Sequence, residues 1–258
     1  MSEPLIINRR GRVLEITLNR PKANAIDGAT SRLLGETFKE FRDDPELRVA
    51  IITAAGEKFF CPGWDLKSAS EGEHADTDYG VGGWGGFIEL PNLNKPVICA
   101  VNGICFGGGF EVMIGADIVI AADHATFSLP EINIGIVANI AAVSLFRRVP
   151  YQVGMEFMLT GRRMTAEEAK HWGLVSEIVP LDHLMERARE IADMVADGPP
   201  LAFAALKDIV RRTEVMPEQM ALEYARGLHT TQKCFDSEDL AEGTKAFVEK
   251  RKPVWKGR

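Results

Sequence analysis

Two glutamates and a run of glycines are the residues of this chain best suited to chemistry. They share one stretch, PVICAVNGICFGGGFEVMIGADIVIAADHATFSLPE, from Pro96 to Glu131. Gly107, Gly108 and Gly109 open an apolar segment that reads as a helix, with Glu111 in its first turn. The first N–H groups of a helix lack internal partners, and glycine lets a ligand come close to the backbone. Oriented donors of this kind can hold developing negative charge. Glu131 follows a strand-like stretch, and two carboxyls can divide a proton transfer between them. Each feature also has a structural reading. An acid in a first turn complements the helix dipole; the glycines would serve close helix–strand packing; Glu131, after Pro130, would be a surface turn or cap residue.

The elements that must position these residues can be read along the chain. Val97–Val101 is an apolar run short enough for a buried strand, broken by Asn102 and Gly103. Strands are expected at Asp117–Ala122 and Ala125–Leu129 after the glycine-led helix. Upstream, Val13–Leu18 alternates like a half-buried strand, ended by Pro21 and the turn Lys22–Ile26. A helix is expected from Thr30 or Ser31, with Leu33, Leu34, Phe38 and Phe41 on one face and Asp43, Asp44 and Pro45 as its stop. Val49–Thr53 reads as a second buried strand, and the loop after it carries the turn pair Pro62-Gly63 just before Trp64. Ser68–Gly86 is polar and glycine-rich, and reads as a mobile, partly helical excursion over the site. Beyond Ile136 the pattern turns helical: Tyr151–Leu159, Ala166–Trp172, Leu181–Val195, Leu201–Arg212, a helix from Pro217, and one capped by Ser237 running to about Lys250. Leu174–Val179 adds a last strand. The expected architecture is an α/β core over residues 1–195, followed by a helical C-terminal region over 196–258 that belongs to the same functional unit.

Composition narrows the functional classes. The 258 residues are 46% hydrophobic and 26% charged, enough for a sizeable core. A net charge of −7 gives no electrostatic case for nucleic acid or an anionic membrane. Cys61, Cys99, Cys105 and Cys234 form no C-x-x-C pair, which favours free thiols in a cytoplasmic protein over a disulfide or zinc framework. The first residues lack the apolar core of a signal peptide, and no run reaches membrane-spanning length. No H-E-x-x-H, G-x-S-x-G, Walker A or G-x-G-x-x-G sequence is present, and the five histidines are scattered, so no metal site is expected.

Together, the segments ITLNRPKANAI (16–26), EKFFCPGWDL (57–66), KPVICAVNGICFGGGFE (95–111), FSLPEINIGI (127–136), LTGRRMTAEEAKHWGLV (159–175) and AFVEKRKPVWKGR (246–258) are specific. Through them the chain resembles the enoyl-CoA hydratase/isomerase (crotonase) superfamily over essentially its whole length. GWDLK, EKRKPVWKGR and RDDPELRVAIIT look most like members acting on crotonobetainyl-CoA. The resemblance implies a crotonase-like spiral of stacked strand–strand–helix units with a helical C-terminal trimerisation region, assembled as a homotrimer or dimer of trimers. It implies a hydro-lyase that moves water across the α,β double bond of an acyl-CoA thioester, with coenzyme A entering only as part of the substrate and no separate cofactor. The backbone N–H groups of Trp64 and Gly108 would form the oxyanion hole. Glu111 would act on the water and Glu131 on the α-carbon. Retention of both acids favours a hydratase over an isomerase. Lys22, Ala23, Ala25, Trp64, Asp65, Leu66, Lys67 and Gly108 would bind the CoA thioester, and Phe247 and Lys250 would close over the nucleotide from a neighbouring subunit.

The sequence departs from that family's pattern at two places. Where a proline and glycines are usual after Glu131, it has Ala138, Asn139, Ala141 and Ala142, and Pro62 replaces a usual alanine. The alanines favour helix and would reshape the acyl pocket wall. Tyr79, Trp84 and Phe87 are candidates to face a trimethylammonium group. A generic enoyl-CoA hydratase, a double-bond isomerase and a non-catalytic CoA-thioester-binding oligomer are the competing readings.

Overall fold

The computed structural model describes residues 3–20 and 22–258. Pro21, expected to end the first strand, lies outside the described residues. The elements in order are β1 (Leu5–Arg10), β2 (Val13–Leu18), α1 (Gly28–Asp43), β3 (Val49–Ala54), β4 (Phe59–Cys61), α2 (Leu66–Ser70), β5 (Val97–Val101), β6 (Ile104–Phe106), α3 (Gly108–Ile114), β7 (Ile118–Ala122) and β8 (Thr126–Ser128). They continue with α4 (Asn139–Ser144), α5 (Tyr151–Thr160), β9 (Met164–Thr165), α6 (Ala166–His171), β10 (Glu177–Val179), α7 (Leu181–Ala196), α8 (Pro200–Thr213), α9 (Glu218–Gly227), α10 (His229–Phe235) and α11 (Glu238–Val248).

A large sheet runs in the order β1-β2-β3-β5-β7-β10, and a small one in the order β4-β6-β8-β9. β1 and β2 pair antiparallel; β2, β3, β5, β7 and β10 pair parallel. From β3 to β8 the chain steps three times from the large sheet to the small one, which is the expected stack of strand–strand units. Gly103 turns one such corner, where a Cβ would meet the Lys58 carbonyl at 2.4 Å. Buried Asn102 ties the same corner down, donating to the carbonyl of Gly56 at 2.7 Å.

Both faces of the large sheet are covered, as parallel sheets require. One face packs Ile16, Leu18 and Ile52 with Leu34, Phe38 and Phe41 of α1. The other packs Val13, Val49, Ile51, Ile98 and Ile120 against α7, whose Leu184, Ala188, Ala192 and Ala196 recur every fourth residue. This second cover corrects the half-buried reading of β2. Glu15, expected to face water, is 5% exposed. It accepts hydrogen bonds from Arg189 at 2.8 and 2.9 Å and from Arg10 at 3.3 Å, and the Arg189 bond holds its carboxyl below the ordinary range.

Other differences are local. α1 starts at Gly28 because Asp27 caps it, accepting from the Thr30 N–H at 2.8 Å. Leu33 faces outward, 41% exposed, while Leu34, Phe38 and Phe41 are buried. The sequence does not announce β1, β4, β6, β9 or α10 as separate elements. At the C-terminal end, buried Lys207 donates to Asp117 and to the Lys95 carbonyl, each at 2.6 Å, anchoring α8 to the sheet. Arg48 reaches the Trp255 carbonyl at 2.7 Å and fixes the tail. No helix among the described residues is long and apolar enough to cross a membrane.

Candidate active site

Two loops meet where the sheets end. The loop after β4 passes through Gly63, whose φ of +100° is favourable only for glycine. The Ile26 N–H donates to the Gly63 carbonyl at 2.9 Å, and the Asp65 N–H donates to the Ile26 carbonyl at 2.8 Å. Both backbone bonds go to the neighbours of Trp64, so its own N–H stays outside the pairing. The second loop leads into α3. Gly107 donates its N–H to Ser128 at 2.9 Å, and Gly108 takes the first helical position. Among the described residues neither the Trp64 nor the Gly108 N–H has an acceptor.

Contacts, not only conformation, demand the glycines here. A Cβ on Gly63 would lie 2.8 Å from the Gly108 nitrogen, so the two loops touch through their backbones. A Cβ on Gly107 would press the Glu131 carboxyl at 2.8 Å, and one on Gly109 would meet the Cys61 carbonyl at 2.1 Å. The Trp84 ring fills the space beside Gly108, and its indole donates to the Gly108 carbonyl at 2.9 Å.

Both predicted acids arrive at the same place. Glu111, on α3, is 6% exposed and accepts from the Ala141 N–H at 3.0 Å. Burial pushes its pKa up to about 7, and the nearby charges of Glu131 and Glu89 push in the same direction. Glu131, in the 3-10 turn Pro130–Ile134, is also raised by burial, and its buried Oε2 has no hydrogen-bond partner among the described residues. The alanine-rich departure therefore has a direct effect: it forms α4, whose Ala141 N–H holds Glu111 in place.

A cavity of about 1160 Å³ opens from these acids to the surface. Ala25, Trp64, Asp65, Leu66, Lys67, Gly108, Glu111 and Glu131 all line it. Lys22, Ala23, Phe247 and Lys250 do not; Phe247, on α11, is 86% exposed. The turn before α1 is held by its own polar groups. Lys22 and Asn24 adopt φ of +84° and +59°, and the buried Asn24 amide donates to the carbonyls of Ala55 and Phe59 at 2.9 and 3.0 Å. Arg20 joins this turn to the Trp64 loop through Asp27 at 2.6 Å and Asp65 at 3.1 Å.

Tyr79 and Trp84 reach the cavity from the glycine-rich excursion, their rings edge to face at 5.0 Å. Phe87 does not. It is buried against Phe38 at 4.6 Å, so its place in the candidate aromatic wall is corrected to a core role. Glu73 and Glu89 went unrecognised in the sequence. Glu73 accepts the Trp64 indole N–H at 2.7 Å and the Gly28 N–H at 3.0 Å, tying the Trp64 loop to the start of α1. Nothing in the local sequence around either acid distinguishes it from a surface charge. Among the described residues no group of three or more His, Cys, Asp or Glu could hold a metal ion.

Two glycine loops in backbone contact, the buried Glu111 and the half-buried Glu131 thus share one cavity. Residues 8–258 match the family model "Enoyl-CoA hydratase/isomerase". The chain belongs to that family, and it is a hydro-lyase of the enoyl-CoA hydratase type. Its solved relatives include the enoyl-CoA hydratases of Mycobacterium tuberculosis H37Rv (35% identity, TM-score 0.91, 99% of this chain and 100% of that one) and Bacillus anthracis (32%, 0.89, 99% and 100%). It is more similar in sequence to carnitinyl-CoA dehydratase of Escherichia coli K12, at 54% identity over 100% of both chains, and to that of Salmonella typhi, at 53% over 100% of both.

Proposed function

We propose that the protein interconverts crotonobetainyl-CoA and carnitinyl-CoA by adding and removing water. The observation that carries the chemistry is one cavity lined by the buried Glu111, the half-buried Glu131, and Trp64 and Gly108, whose backbone N–H groups have no acceptor among the described residues. The names of the relatives supply the substrate. In hydration, a water oxygen bonds to the β-carbon while Glu111 takes one of its protons. The double-bond electrons move onto the thioester oxygen, where the Trp64 and Gly108 N–H groups hold the enolate. Glu131 then gives its proton to the α-carbon. Dehydration reverses each transfer. Loss of one oxyanion donor in such sites costs ~3–4 kcal/mol.

The pair must carry one proton in either direction. Burial supports that state by raising both carboxyls, with Glu111 holding its proton up to about pH 7. This is the form from which dehydration starts.

Lys22, Ala23, Ala25, Asp65, Leu66 and Lys67 are the CoA-binding residues on this reading. Phe247 and Lys250 serve a neighbouring subunit in a trimer or dimer of trimers. Supporting this, the C-terminal helices leave Leu206, Val210, Met220, Leu222, Phe235 and Phe247 exposed. A second reading, a hydratase of unbranched enoyl-CoA, draws on the apolar wall of Ile134, Ile136, Val137 and Ile140. Comparing kcat/KM for crotonobetainyl-CoA and crotonyl-CoA decides between them. A clear preference for crotonyl-CoA would sink the first reading.

A further inference from the structure

We infer that Glu89 is a specificity-determining residue that supplies the counter-charge for a quaternary ammonium on the acyl chain. This assignment rests on the substrate reading above and extends it to a particular side chain. Glu89 follows the tight turn Trp84–Gly86, its N–H donating to the Gly82 carbonyl at 3.1 Å. Its side chain lies along Gly83, where a Cβ would stand 2.3 Å from its Oε1. The side chain is open to the cavity that Glu111 lines. Among the described residues no side chain or backbone group pairs with its carboxylate.

The charges around the cavity leave Glu89 uncompensated. Asp65 is matched by Arg20 at 3.1 Å, and Asp76 shares a hydrogen bond with His74 at 2.5 Å. Lys67, the basic residue in the wall, is 80% exposed beside Glu71. A neutral enoyl chain would place apolar carbon against this unpaired carboxylate, and nothing would offset the repulsion between Glu89 and the ionised Glu111. A quaternary ammonium changes both. It cannot donate a hydrogen bond, so it is recognised by undirected attraction to carboxylates and aromatic faces. Trp84 and Tyr79 line the same cavity and present such rings.

The test compares crotonobetainyl-CoA with its neutral isostere, in which carbon replaces the quaternary nitrogen. The wild type should favour the cation, and Glu89→Gln should lower kcat/KM for the cation roughly 10- to 100-fold. The same variant should change turnover of the isostere by less than about threefold, and Glu89→Asp should retain part of the preference, which a misfolded protein could not do. A wild type that prefers the isostere overturns the substrate reading and this assignment together. A wild type that prefers the cation, with the preference unchanged in Glu89→Gln, overturns the Glu89 assignment alone. Equal loss on both substrates also overturns it.

Discussion

Replacing Gly63 by alanine tests the contact between the two loops proposed to form the oxyanion hole. Its Cβ would sit 2.8 Å from the Gly108 nitrogen and 3.2 Å from the Phe106 carbonyl, against an ordinary contact of 3.4 Å or more. One loop must therefore give by roughly half an ångström, and both donors ride on those loops. Hydrogen bonds to a developing oxyanion tolerate little misplacement, and losing one such donor costs about 2.7–4 kcal/mol, or ~10²–10³ in kcat. Alanine at a φ of +100° adds a folding cost of about 1–3 kcal/mol. Gly56→Ala provides the control. Its φ is +83°, but nothing lies within 4 Å of the added Cβ, so it carries the conformational strain without the contact. The assay is hydration, followed by loss of enoyl-thioester absorbance, alongside thermal melting of each variant. The expected result is a 10²–10³-fold loss of kcat in folded Gly63→Ala and a change of less than about threefold in Gly56→Ala. A folded Gly63→Ala variant within tenfold of wild type would refute the placement of the donors.

Further outcomes follow from the same geometry. The kcat/KM of either direction should fall as pH rises through about 7, because both directions need one proton on the pair and Glu111 loses it there. Glu111→Gln should raise the melting temperature at pH 8 but not at pH 4. The charged form is disfavoured by burial, and the displacement of its pKa from 4.5 to about 7 corresponds to about 3 kcal/mol that the folded state loses as pH rises. Glu73→Ala should lower stability by about 1–3 kcal/mol and raise KM, since the Gly28 N–H and the Trp64 indole lose their shared acceptor. Phe247→Ala should raise KM for the CoA thioester with kcat little changed if a neighbouring subunit supplies that ring, which steady-state kinetics on the purified oligomer would check.

The sequence made the site's skeleton readable because the residues involved have little freedom. Short β-branched apolar runs such as Val97–Val101 favour a buried strand, and three adjacent glycines leave few roles besides close backbone approach. What escaped depends on partners far along the chain. Glu15 looked like the wet face of a strand until α7, over 160 residues later, brought Arg189 over it. β1 carries mostly exposed residues, so no apolar pattern announced it. Glu73 and Glu89 look like surface acids in a polar excursion, and only the folded backbone places one under Trp64 and the other on the cavity. The alanines after Glu131 were recognised as unusual, but not that their helix would hold Glu111.

We propose that Glu111 and Glu131 together move water across an enoyl thioester. The most direct measurement is hydration of crotonobetainyl-CoA by wild type, Glu111→Gln and Glu131→Gln, with thioester binding measured on the same preparations. Turnover by wild type and a loss of roughly 10²–10⁴ in each variant are expected, with binding retained. Tight thioester binding without turnover in wild type, or full activity in either variant, would contradict it.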